Sequence, residues 1–166
     1  NSLKRILGKR FEFTPRRRQD IDFIFLLANP VQAKGINPTL AFFYADDLPV
    51  YATSHVYDNS DSVLDAMDLN GVRFCDIPFK LSDNSSLDKA INNHWPEATG
   101  SLSAFYALGM DAYHLFPRLQ QLRQLPLERV FGTTGILSLN SNGTIRRELT
   151  WAKIRNGEVM TFPTIT

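Results

Sequence analysis

The chain has 166 residues, 43% of them apolar and 21% charged, enough for one domain with a substantial core and unlike a disordered chain. No window nears the roughly 18 unbroken apolar residues of a transmembrane helix, the first residues show no signal-peptide pattern, and a single cysteine, Cys75, excludes an internal disulfide and a multi-cysteine metal site. Net charge is only +1, but it is unevenly spread: residues 1–45 carry eight bases and three acids, residues 46–111 three bases and eleven acids. Such segregation suits steering of a charged partner, unless folding mixes the two signs.

In chain order, Ser2–Gly8 reads as a helix end. A connection bearing Arg16, Arg17 and Arg18 follows, a candidate protein-docking patch. Ile21–Ala28 is a near-continuous apolar run, the pattern of a strand buried on both faces of a parallel sheet. Asn29-Pro30 supplies an N-cap and a proline at the first helical position; Asn37-Pro38 repeats the device, which predicts a helix broken at Gly35 and restarted through Tyr44. Pro49–Thr53 is a second strand. Ser62 caps a helix to Asn70, Gly71 stops it, and Val72–Ile77 is a third strand ended by Pro78. This β-α-β-α-β order predicts an α/β fold with an open parallel sheet and crossover helices.

The second half differs. Ser85 or Ser86 caps a helix carrying Leu87, Ile91 and Trp95. Leu102 to Phe116 is apolar on most of its circumference and reads as a sandwiched helix, and Pro117 starts another with Leu119, Leu122 and Leu125 on one face. Leu137–Leu139 and Ile145–Ile154 flank the turn Ser141-Asn142-Gly143, and Asn156-Gly157 closes a terminal β-hairpin.

Ligands of open parallel sheets gather beyond the carboxyl ends of the strands. Those ends carry Asn29, then Ser54, His55 and Tyr57, then Asp76, a candidate cleft for a small ligand; the same polar loops also serve simply to cap the following helices. Catalytic signals are thin. Cys75 lies in an apolar strand without a nucleophile-elbow context, and its combination with His55 and Asp76 has no support beyond residue type. His94 and His114 lack ligand-spaced neighbours, Gly132-Thr133-Thr134-Gly135 lacks the Lys-Ser/Thr of a phosphate loop, and Arg16–Arg18 lacks interleaved aromatics. The residues thus indicate no metal, no cofactor and no nucleic-acid partner.

Two resemblances add to this reading. Tyr106-Ala107-x-Gly109-x-Asp111-Ala112, Gly132-x-x-Gly135-x-Leu137, Asn142-Gly143 and Ile154-Arg155-Asn156-Gly157-Glu158-Val159 resemble the closing segment of two-lobed type I periplasmic-binding proteins. That resemblance implies residues 11–78 and 130–166 mainly in one lobe, with the helices of 79–129 packing mainly with the other. Arg16-Arg17-Arg18-Gln19-Asp20-Ile21-Asp22, Ala28-Asn29-Pro30 and Pro49–Tyr57 resemble the C-terminal domain of LpoA-type penicillin-binding protein activators. It implies a non-enzymatic outer-membrane lipoprotein facing the periplasm, whose partner is a class A penicillin-binding protein. No carboxylate clamp for an amino acid is apparent at Asn29 or Ser54-His55, which favours docking over solute binding; a solute-binding or sensing role for the cleft remains the alternative.

Overall fold

The computed structural model describes residues 19–58, 62–82, 90, 91, 93–95 and 102–162. The predicted Ser2–Gly8 helix end, the Arg16–Arg18 patch and the Ser85/Ser86 cap lie outside them.

Sheet A has the order β1-β2-β3-β7-β8. Its strands β1 (Ile24–Leu26), β2 (Val50–Ala52) and β3 (Arg73–Asp76) are parallel. Antiparallel β7 (Thr150–Arg155) and β8 (Glu158–Thr161) complete it. Their hairpin turns at Asn156 (φ 55°) and Gly157 (φ 77°), the paired left-handed conformations of a two-residue turn. Helix α1 (Pro30–Phe42) returns from β1 to β2, and α2 (Val63–Ala66), capped by Ser62, from β2 to β3. One face of the sheet holds the core: Leu26, Val50, Ala52, Phe74, Ala152 and Ile154 pack with Ala33 and Leu69.

Two expectations are corrected here. The Ile21–Ala28 run is not buried on both faces: Leu26 and Ala28 are buried, whereas Phe23, Phe25 and Leu27 are exposed. An apolar run reports that a strand can be covered, not what covers it, and among the described residues nothing layers this face; Phe23, Tyr51 and Trp151 pack there edge to face at 5.9 and 6.1 Å. The predicted break at Gly35 is also absent, since α1 runs unbroken with Pro38 inside it. Proline removes one helix donor. The Asn37 side chain, instead of capping a new helix, donates to the carbonyls of Asp68 and Asn70 at 2.9 and 3.2 Å, so a tertiary anchor holds the segment helical.

After β3, Pro78 does more than end the strand: it opens the short helix α3 (Pro78–Leu81). Helix α4 (Ser103–Leu115) and α5 (Leu119–Gln124) then pack beside sheet B, the antiparallel set β4 (Val130–Phe131), β5 (Ile136–Leu139) and β6 (Ile145–Glu148). The predicted strand Ile145–Ile154 is one extended run divided at Leu149, β6 joining sheet B and β7 joining sheet A. Among the described residues, α4 is covered along one stripe rather than sandwiched as its composition suggested. Ser103, Ala107, Asp111 and Leu115, four residues apart, form its buried stripe, while Phe105, Leu108 and Tyr113 are exposed.

Asp111 in that stripe joins the parts. Its Oδ1 accepts from the Thr133 amide and hydroxyl at 2.7 and 2.8 Å, and its Oδ2 from the Thr134 amide and hydroxyl at 2.8 and 2.6 Å. Gly132 allows the approach, because a Cβ there would lie 2.6 Å from Asp111 Oδ2. Gly135 (φ 142°) leaves the loop where any side chain would strike the Glu148 carbonyl. On the other side of the loop, the Thr133 carbonyl accepts from the Phe79 amide of α3 at 3.0 Å.

Burial pushes the Asp111 carboxyl up, but the hydrogen bonds from Thr134 and Thr133 outweigh it and hold the group below the ordinary carboxylate range. A lowered folded-state value means that the stabilisation is complete above the ordinary value of about 3.9 and is lost as pH falls through the lowered one. Asp111→Ala strands two amides and the Thr134 hydroxyl, while the Thr133 hydroxyl keeps the Ala107 carbonyl at 2.9 Å, so urea titration at pH 7 is expected to show a loss of about 2–4 kcal/mol. That deficit should shrink as the pH falls below about 4; a deficit equal at pH 7 and pH 2.5 would contradict the assignment.

Candidate functional site

At the carboxyl ends of the parallel strands a cavity of about 440 Å³ opens between the two sheets. Ser54, His55 and Tyr57 reach it from the turn after β2, Asp76 from the last residue of β3 and Lys80 from α3, while Arg147 faces them from β6. The structure thus brings together four of the five residues predicted for a cleft. Asn29 has a different assignment: its side chain accepts from the Gln32 amide at 2.9 Å and its own amide donates to Gln32 Oε1 at 3.2 Å, a capping box that starts α1. Its neighbour Pro30 lines the wall instead.

The loop after β2 is held locally. Ser54–Val56 winds into a short 3-10 turn, the Tyr57 amide donating to the Ser54 carbonyl at 3.4 Å, and the Tyr57 ring packs tilted against Phe74 with centroids 5.4 Å apart. His55 is exposed, with Nδ1 3.3 Å from the Thr53 hydroxyl. Lys80 and Arg147 escaped the sequence reading. Lys80 reaches the site because Pro78 sets a helix going at once, placing residue 80 one turn beyond Asp76; Arg147 arrives from a distant strand with no local signal.

Asp76 is the unusual group. It is 5% exposed, its Oδ1 accepts from the Ile77 amide at 2.7 Å, and its Oδ2 accepts no hydrogen bond from the described residues. The nearest cation, Lys80 Nζ, stands 3.9 Å away, an ion pair without a hydrogen bond. Burial pushes the Asp76 carboxyl up, and the Ile77 amide, Lys80, His55 and Arg147 offset only part of that. The arrangement is a half-satisfied carboxylate with two cations, Lys80 and Arg147, on the wall of the same cavity.

Cys75 does not join it. Adjacent strand residues point to opposite faces; Cys75 lies opposite Trp151 in the sheet while Asp76 faces the cavity. Burial, then the charge of Asp76, pushes the thiol up, away from the reactive thiolate. Among the described residues no cluster of His, Cys, Asp and Glu could hold a metal ion, and no helix is long and apolar enough to cross a membrane.

A raised folded-state pKa makes ionised Asp76 a cost: its contribution improves as pH falls through the raised value and is constant below the ordinary one of about 3.9. Asp76→Asn is therefore expected to raise the melting temperature at pH 7, with the gain vanishing near pH 3. A lower melting temperature at pH 7 would show that the carboxylate is repaid by partners.

With this geometry in view, comparisons with known proteins converge. Residues 1–157 match the family model described as "LppC putative lipoprotein". The penicillin-binding protein activator LpoA of Vibrio cholerae is 31% identical over 154 residues, 91% of this chain and 25% of that protein. The solved C-domain of LpoA from Haemophilus influenzae, described as a regulator of PBP1A, aligns with a TM-score of 0.74 at 24% identity, over 96% of this chain and 54% of that one. The leucine-binding protein LivK of Thermotoga maritima aligns with a TM-score of 0.51 at 16% identity, over 86% of this chain and 44% of that one, a likeness of fold alone. The fold is therefore the periplasmic-binding type, and this chain spans a quarter of the length of the curated relatives it matches. The chain belongs to the LppC lipoprotein family.

Proposed function

We propose that this chain is the cleft-forming part of a non-enzymatic activator that binds a bifunctional class A penicillin-binding protein of the 1A type and promotes peptidoglycan synthesis. The observation that carries this reading is the 31% identity to the Vibrio cholerae activator across 91% of the chain. Two features are consistent with it: Cys75 and Asp76 face opposite sides of the sheet, and the cleft's ionic groups are arranged for contact. We assign the intact protein to the periplasmic side of the outer membrane, held there by a lipid anchor as the family name implies.

A second reading is favoured by one observation, the buried Asp76 oxygen that no described donor satisfies. A small polar ligand offering a donor to Asp76 and an acceptor to Lys80 or Arg147 would complete the cleft, and its binding would bias the docking surface. At a hundredfold excess over Kd such a ligand stabilises the fold by about 2.7 kcal/mol. A thermal-shift screen of amino acids and cell-wall peptides that moves the midpoint with wild type but not with Asp76→Ala supports this reading; no shift with any of them sets it aside.

The activator reading is tested by titrating the full-length protein against a purified class A penicillin-binding protein. Saturable binding is expected, with an on-rate that falls as salt rises and with faster glycan-strand synthesis. Absence of binding at low salt overturns it.

A further inference from the structure

We draw no further inference here: the strongest candidate, the open aromatic face of sheet A on which Phe23, Tyr51 and Trp151 pack edge to face, carries none, because nothing among the described residues shows what covers it.

Discussion

The carboxylate of Asp111 receives two amides and two hydroxyls from Thr133 and Thr134, and the loop so held also takes the Phe79 amide of α3. A helix of the sheet B layer, the β4–β5 loop and the element following β3 thereby meet at one point. Charge-assisted bonds of this kind are stronger than neutral ones and have directional geometry, so they fix orientation as well as proximity. The cavity exists because that orientation holds Arg147 of β6 opposite Asp76 of β3. Both glycines of the loop serve the same end, one by giving the carboxylate room and the other by giving the chain room beside the Glu148 carbonyl.

Asp76 contrasts with Asp111. Both are buried aspartates, but one has its oxygens saturated and the other has only the Ile77 amide and a cation 3.9 Å away. Opposite shifts in proton affinity follow from the same burial, because hydrogen bonding decides which way the balance falls. Asp111 is structural in this sense: it stabilises what it touches. Asp76 lies on the cavity wall with one oxygen that accepts no hydrogen bond from the described residues, so little there offsets its burial.

The elements that were legible in the sequence are those whose signals are local. Ser62 caps α2, Asn29-Pro30 starts α1 and Asn156-Gly157 turns the last hairpin, each within a few residues of its partners. The rule that ligands lie beyond parallel strand ends picked out Ser54, His55, Tyr57 and Asp76, which line one cavity, and also Asn29, which caps α1 instead. Tertiary information was hidden. Asn37-Pro38 looks like a second helix start until Asp68 and Asn70 offer their carbonyls to Asn37. Asp111 reads as one polar residue in an apolar helix until Thr133 and Thr134, 22 and 23 positions on, supply its donors. An aspartate on the buried stripe of α4 and a Thr-Thr pair between glycines are the two halves of a signal that neither half carries alone.

The extended run from Ile145 to Arg155 belongs to both sheets, with Leu149 the one residue between β6 and β7. Mechanically, Leu149 acts as a tether: a single residue between two hydrogen-bonded strands forbids the sheets to slide apart along that line, while the bonds of Asp111 and Phe79 to the β4–β5 loop hold the angle between them. Arg147 and Leu149 both line the cavity, so the crossing that ties the sheets together is also one of its walls.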